Sequence, residues 1–354
     1  MKPDAVVDEA AHHLRFASVR AGKFCSTEST QRVIAAAQRY ISGASSGKAL
    51  VIFGCSGSGK TYLLSQVIVD HILKNVDGAR SRCIAVRFLG TSPGSSSVRS
   101  LLVSLCEQLR RCYRQQEPVP NDYKALAAYF RQALLHWPSA ALPLELFIDS
   151  VDQLDDSNAG RQLEWLPVSG LPQHVRLVVT TLPDHEQFQC LSKLRAGLSL
   201  TNQGSSGLRE EVVEVTTISE HDKVLRHLLR LQDRTVTAEQ LAAVDAAFKA
   251  QTEGDGGGTP LWLTIVAQVV SQWASYDGVK FSVQPSVRAL IIDLFVRLER
   301  SHGAHLVRAV MGFVTLCLHR GVSEAELVHL ASLDDDVLAD VYEWWVPPMR
   351  TCPP

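Results

Sequence analysis

Short apolar runs alternate with longer stretches of helical periodicity over the first two thirds of the chain. Five of these runs predict β-strands, at residues 50–53, 83–88, 144–148, 175–180 and 211–215. The middle three are rich in Val, Ile, Leu and Phe, which is typical of strands covered on both faces. The pattern therefore indicates a sheet buried between two layers of helices.

Apolar residues that recur three and four positions apart predict the helices between these strands. These helices cover residues 61–74, 98–116 and 123–137. Ser97 is placed to cap the second of them, and two more helical patterns, residues 5–19 and 30–41, precede the first strand. Because strands that alternate with helices form parallel sheets, we predict an α/β protein with a parallel five-stranded sheet and right-handed crossovers.

Composition limits the classes of partner. The chain has 354 residues, of which 46% are hydrophobic, enough for two or three domains with cores of their own. The chain has 35 Lys and Arg residues and 37 Asp and Glu residues, which give a net charge of -2. This charge does not favour binding to nucleic acid. No apolar stretch reaches the length of a membrane span, and no signal sequence is recognisable. Eight cysteines without a C-x-x-C pair are expected to be reduced thiols, and we predict a cytoplasmic protein.

A phosphate-binding motif, G-x-x-x-x-G-K-[ST], stands between the first predicted strand and the helix at residues 61–74. Its glycines let the backbone curl so that N–H groups point at phosphate oxygens, while Lys60 reaches the terminal phosphates and Thr61 ligates magnesium. The helix N-terminus that follows also favours an anion. We predict nucleoside triphosphate binding by the loop residues Gly54, Cys55, Ser56, Gly57, Ser58, Gly59, Lys60 and Thr61.

A second chemical signal is the carboxylate Asp149, which directly follows the third predicted strand. Ligands of open α/β sheets bind at the carboxyl ends of the strands. We therefore expect Asp149 to hold magnesium, directly or through water, opposite Thr61. Asp152 is placed to orient or deprotonate an attacking water. Alternatively, Asp152, Asp155 and Asp156 form only a solvated acidic loop.

Four segments in a fixed order carry a resemblance to a known family. They are FLGTSPGSSS at residues 88–97, IDSVDQL at 148–154, LVVTTLP at 177–183 and GTPL at 258–261. Together with the phosphate loop, they resemble the NACHT-type signal-transduction NTPases with numerous domains (STAND), and among these the NACHT and WD-repeat-containing proteins. The resemblance covers almost the whole chain, roughly from Ala10 to Pro348.

The resemblance implies a magnesium-dependent switch that binds ATP and ADP, hydrolyses slowly, and drives conformational change and assembly with protein partners or with itself. It also implies that Thr180 senses the γ-phosphate region and that Pro260 packs near the base. A second interpretation of Pro260 stays open, because Thr259 is a good helix cap and proline suits the first helical position without any ligand.

The chain also departs from the family at several positions. Gln153 and Leu182 stand where many relatives have a second acidic residue and an arginine, and both changes are expected to slow hydrolysis. Ser26-Thr27-Glu28 replaces a Gly-Arg-Glu element that helps hold adenine in relatives. His319 matches no phosphate-contacting histidine, and residues 253–258 lack the Lys-Ser/Thr ending of a second phosphate loop, so we interpret them as a flexible connection.

Helical patterns alone fill the last third, at residues 261–273, 290–300 and 306–318, followed by a capping box that starts at Ser323. The resemblance implies four parts: an N-terminal helical segment (1–46), the NTPase domain (47–218), a helical subdomain (219–285), and a winged-helix-like subdomain (286–354) truncated before any repeats. Acidic residues near its expected recognition segment argue against DNA binding. The pair Trp344 and Trp345 is either a surface for an absent domain or part of the core.

Two other functions remain open. The first is a catalytically silent scaffold in which ADP is a permanent structural ligand, and Gln153 and Leu182 favour it. The second is a P-loop kinase, although no Arg-rich lid follows the core and the long helical tail would be unexplained. A transporter-type ATPase is disfavoured because the chain has no LSGGQ-like signature.

Overall fold

The computed structural model describes residues 4–43, 46–75, 82–91, 95–186, 188–199, 211–216, 218–251, 258–274, 281–317 and 321–342. Predictions for His319, for the pair Trp344 and Trp345 and for most of residues 253–258 lie outside these ranges. No helix of the described part is both long and apolar enough to cross a membrane.

All five strands belong to one parallel sheet, as predicted. The strands are β1 (Leu50–Phe53), β2 (Cys83–Phe88), β3 (Leu144–Asp149), β4 (Val175–Thr181) and β5 (Val212–Glu214). Their order across the sheet is β2-β3-β4-β1-β5, so that β4 lies between β1 and β3. This order brings the carboxyl ends of β1, β3 and β4 together at one edge of the sheet.

Helices cover both faces of the sheet. Those of the first unit are α1 (Ala5–Ala21), α2 (Glu28–Ser42), α3 (Lys60–Asn75), α4 (Val98–Cys112), α5 (Tyr123–His136), α6 (Cys190–Ser199), α7 (His221–Arg230) and α9 (Pro260–Val270). Alternate strand residues enter different cores: Leu146 and Ile148 of β3 pack with α4 and α5, whereas Phe147 joins the core that α1, α2 and α3 cover. The period of two along a strand explains this division.

A second compact unit is formed by residues 238–257 and 276–354. Its helices are α8 (Ala238–Lys249), α10 (Val287–His302), α11 (Ala304–Leu316), α12 (Glu324–Ala331) and α13 (Asp335–Val341). Ser323 and Glu326 form the expected capping box at the start of α12. All described elements of residues 286–342 are helical, and the winged-helix assignment stays a prediction.

The helices predicted at residues 98–116 and 261–273 were both too long, and the second of them, α9, ends at Val270. α4 ends at Cys112 instead of residue 116, because Arg114 has a left-handed backbone with φ of 53°. An α-helix cannot continue through that conformation. The predicted cap is confirmed, since the Ser97 side chain accepts a hydrogen bond from the Ser100 N–H.

The buried His13 fastens α1 to the edge strand β2. Its Nδ1 accepts the Phe88 N–H at 3.2 Å, and its Nε2 contacts Glu9 Oε1 at 3.1 Å. The accepting Nδ1 requires a neutral ring with its proton on Nε2. Burial, together with the charge of Arg87, lowers the pKa of His13 to about 4.

This arrangement predicts acid sensitivity of the fold. Unfolding restores the ordinary histidine pKa of about 6.5. Below that pH the unfolded chain therefore binds a proton that the folded chain does not bind. As a result, the fold loses stability as the pH falls from about 6.5 towards 4. We expect the free energy of unfolding to fall by about 1–2 kcal/mol from this group between pH 7 and pH 5. Urea unfolding of the wild type and of His13→Gln at both pH values measures the difference. In the variant His12→Gln, which changes the exposed neighbour, the free energy of unfolding should fall between pH 7 and pH 5 by as much as in the wild type. An equally large fall in His13→Gln would contradict the assignment.

Candidate phosphate-binding site

The loop from Gly54 to Gly59 joins β1 to α3 and is approached closely by the start of α9. Gly57 and Gly59 have φ of 75° and 86°, in the left-handed region that favours glycine. A Cβ atom on Gly57 would lie 2.7 Å from Cβ of Leu261, whose N–H donates to the Gly57 carbonyl. The two glycines are therefore required both by the turn of the loop and by the helix packed on it.

Lys60 is the first residue of α3, and its side chain folds back over the loop. The ammonium donates to the carbonyl oxygens of Gly54 and Cys55 at 2.7 and 3.0 Å. Lys60 is only 7% exposed, and burial lowers its pKa against the opposing charges of Asp152 and Asp149. The ammonium is thus held beside the loop, where an incoming anion would exchange with the two carbonyls.

Asp149 lies at the end of β3 and is almost completely buried. Its Oδ2 accepts from Thr61 Oγ1 at 2.7 Å and from Ser150 Oγ at 3.2 Å, while its Oδ1 accepts from Thr180 Oγ1 at 2.6 Å. Burial raises the pKa of Asp149, and the three hydroxyl donors oppose that shift. Three residues that the sequence singled out separately, Thr61, Asp149 and Thr180, therefore meet in one hydrogen-bonded group.

Asp152 follows in a short 3₁₀ turn, Val151–Gln153, which is entered through Ser150 with φ of 60°. It is 5% exposed, which excludes the solvated-loop interpretation for this residue. Its Oδ1 accepts the Leu182 N–H, and its Oδ2 accepts the side-chain amide of Gln153, both at 3.0 Å. Both carboxylate oxygens already hold a hydrogen bond.

Two adjoining cavities open beside the loop. The first, of about 380 Å³, is lined by Lys60, Thr61, Asp149 and Asp152, and we call it the phosphate cavity. The second, of about 260 Å³, is mainly apolar, and we call it the apolar cavity. Its walls come from the segment that precedes α2, from helix α7 and from helix α9. The apolar residues that line it include Phe24, Tyr62, Ile218, Val224, Leu228 and Leu231. Gly59, Tyr62, Pro260 and Thr264 line both cavities.

Sequence reasoning missed several of these lining residues. Thr264 follows Pro260 by one helical turn, so helical spacing alone could have placed it on the same face. Phe24 and Thr27 line the apolar cavity from the segment in which Ser26-Thr27-Glu28 replaces the Gly-Arg-Glu element of the family pattern. No local signal marked Arg20, which reaches the phosphate cavity from α1.

The donor set of the two cavities suits a nucleotide and its metal ion. Ser58 Oγ is buried, lines the apolar cavity, and has no hydrogen-bond partner among the described residues. Thr61 Oγ1 and Asp149 Oδ2 are 2.7 Å apart, close to the ~2.9 Å expected between adjacent ligands of octahedral Mg²⁺. Within the described ranges, no cluster of three or more His, Cys, Asp or Glu residues could hold a metal ion. The residues fit Mg²⁺ that takes its other ligands from water and phosphate.

Comparisons with known proteins identify related sequences. The NACHT domain family matches residues 48–235. NACHT and WD repeat domain-containing protein 2 of Homo sapiens is 32% identical over 303 residues, which are 83% of this chain and 16% of that protein. NACHT domain- and WD repeat-containing protein 1 of Homo sapiens is 31% identical over 309 residues, with coverage of 85% and 18%. The chain thus spans less than a fifth of the length of these relatives.

The solved structures that match this chain are more distant. The Aeropyrum pernix Orc1 protein in complex with DNA is 11% identical with a TM-score of 0.40, covering 81% of this chain and 71% of that one. The Thermotoga maritima RuvB Holliday junction branch migration motor is 15% identical with a TM-score of 0.35, covering 90% of this chain and 86% of that one.

Proposed function

Because this chain belongs to the NACHT domain family of P-loop NTPases, we propose that it is a molecular switch that binds ATP or ADP with Mg²⁺ and hydrolyses ATP slowly. One observation carries the proposal: Lys60, Thr61 and Asp149 line a single cavity that adjoins an apolar cavity across shared residues. A nucleotide needs such a pair of neighbouring environments, one charged and one apolar.

Phosphate binding rests on the loop and on Lys60. The loop N–H groups and the start of α3 provide donors and a favourable helix dipole. The Lys60 ammonium would exchange its hydrogen bonds to two loop carbonyls for charge-assisted bonds to phosphate oxygens, which are stronger. Thr61 and Asp149 would hold Mg²⁺. When bound, the metal ion neutralises charge on the terminal phosphates.

The apolar cavity is proposed to take the base. Pro260 and Thr264 from α9 and Tyr62 from α3 lie between the two cavities, so a base here would remain connected to phosphates held by the loop. Phe24 offers a flat apolar wall for a heteroaromatic ring. Pro260 also begins α9, with Thr259 as the cap, so the structural and binding interpretations of this residue are compatible.

Slow hydrolysis follows from the state of Asp152. A general base must offer a free lone pair towards the attacking water. Both oxygens of Asp152 accept hydrogen bonds, from the Leu182 backbone and the Gln153 side chain, and an attacking water must compete with these donors for the carboxylate. Thr180 donates a hydrogen bond to Asp149, and we propose that through this bond Thr180 senses whether a γ-phosphate is bound.

Switching requires that the two nucleotides stabilise different arrangements of the protein. We propose protein partners or further copies of the chain as the targets of this change, and we do not expect nucleic acid. The described cysteines form no disulfide, which supports a reducing, cytoplasmic location.

The engaged oxygens of Asp152 also favour a second candidate, a scaffold in which ADP is a permanent structural ligand without turnover. The two functions differ in one measurable property, because only the switch exchanges and hydrolyses its nucleotide.

Acid-quenched protein, analysed by chromatography for released nucleotide, tests the proposal. We expect ADP or ATP near one per chain, and slow release of phosphate from added ATP that is lost in Asp152→Asn. Bound ADP with no turnover would favour the scaffold. A chain without nucleotide, whose melting temperature does not rise with Mg-ATP, would contradict both functions.

A further inference from the structure

Arg20, in the last turn of α1, is held on an aromatic platform. Its guanidinium lies 3.8 Å from the centre of the Phe16 ring and 5.4 Å from that of Tyr62. Phe16 in turn packs against Phe88 of β2, with ring centres 4.7 Å apart. Stacking of this kind fixes the plane of a guanidinium and leaves the N–H groups on its edge available.

The platform places Arg20 at the end of the sheet that carries Asp149. Phe88 pairs with Asp149 in the register of β2 and β3, and Tyr62 directly follows Thr61 in the first turn of α3. Arg20 accordingly lines the phosphate cavity and not the apolar cavity.

The charges of the phosphate cavity leave a role for a second cation. Among its described lining residues, Asp149 and Asp152 are acidic, and Lys60 and Arg20 are basic. The Lys60 ammonium already contacts loop carbonyls, whereas the Arg20 guanidinium has neither an ion pair nor a hydrogen bond within the described ranges. An arginine that is stacked and half-buried, without an anionic partner, is prepared to receive a planar or tetrahedral oxyanion.

We propose that Arg20 binds the terminal phosphate of the nucleotide and makes the site prefer a triphosphate over a diphosphate. The inference rests on the proposed function, since it assigns a residue to the same site. Arg20 donates paired N–H groups to the γ-phosphate oxygens, on the side where α1 covers the cavity. Binding of the triphosphate therefore draws on α1, a helix outside residues 48–235 that the family match covers.

Calorimetric titration of Mg-ATP, Mg-ADP and adenosine into nucleotide-free protein tests this role. In Arg20→Gln we expect binding of Mg-ATP to weaken about tenfold or more, binding of Mg-ADP to weaken less than about threefold, and adenosine to be unaffected. Arg20→Lys keeps the charge without the planar fork and should fall between the wild type and Arg20→Gln. The matched control is Arg15→Gln, because Arg15 is exposed on the same helix.

The outcomes separate this inference from the function beneath it. If the wild type binds both nucleotides and Arg20→Gln weakens them equally, Arg20 acts through the structure of α1 and the inference is wrong. Unchanged binding in Arg20→Gln also overturns it, while the nucleotide switch stands. A wild type that binds no nucleotide overturns both. If Arg20→Gln does not fold, as judged by its thermal melt, the ratio of Mg-ATP to Mg-ADP affinity in Arg20→Lys decides in the same way.

Discussion

Lys60→Ala should weaken binding of ATP and ADP by at least about 100-fold. The variant loses charge-assisted hydrogen bonds to phosphate in a site where Lys60 is only 7% exposed, and each such bond contributes about 1.5–3 kcal/mol. At a nucleotide concentration 100 times the wild-type Kd, binding stabilises the wild type by about 2.7 kcal/mol. A 100-fold weaker variant would retain only about 0.4 kcal/mol. Thermal melting with and without Mg-ATP measures this difference.

Lys74→Ala is the matched control for Lys60→Ala. Lys74 is exposed in the last turn of the same helix, α3, so its removal should leave nucleotide binding unchanged. Without nucleotide, Lys60→Ala should melt close to the wild type, because the lost bonds to Gly54 and Cys55 are offset by removal of a desolvated charge. Nucleotide binding that survives in Lys60→Ala would mean that this loop does not hold the phosphates.

Local patterns were sufficient for the strands. The predicted strand bounds agree with the structure within one residue. The first four strands are well marked because they are compact apolar runs that are mostly buried, whereas β5 is only half-buried. Periodicity was less reliable at helix ends, as the left-handed Arg114 shows. The prediction also omitted α6, although Leu191, Leu194 and Leu198 recur there at helical spacing.

The sheet order and half of the site depend on tertiary structure. No local signal specifies that β4 lies between β1 and β3, yet that order joins Thr180 to Asp149. The motif residues could be named from the sequence because their spacing is fixed by one loop and one strand end. Arg20 and Phe24 could not be named from the sequence. They reach the cavities from a part of the chain outside these motifs, where only packing decides which side chain faces inward.

Asp149→Asn should remove the magnesium-dependent part of nucleotide binding while preserving the fold. An asparagine is neutral and offers a hard divalent cation only one amide oxygen, so we expect Mg²⁺-dependent affinity to fall by at least about 100-fold. The melting temperature in Mg-ATP should then equal that in ATP with EDTA, whereas in the wild type it should be clearly higher. Asp156→Asn is the matched control, because Asp156 belongs to the same acidic stretch and its side chain is 88% exposed.

The same substitution distinguishes the effect of Asp149 on the stability of the fold from its role in ligand binding. A buried carboxylate is expensive to desolvate, and among the described residues three hydroxyl groups and the nearby Lys60 oppose that cost. Thr61 and Thr180 can accept as well as donate, so they can rotate to bond the asparagine amide. The nucleotide-free variant should therefore melt at or above the wild-type temperature. A variant that melts well below the wild type without nucleotide would show that Asp149 serves the fold, whereas a stable variant without a magnesium response would show that it serves the ligand.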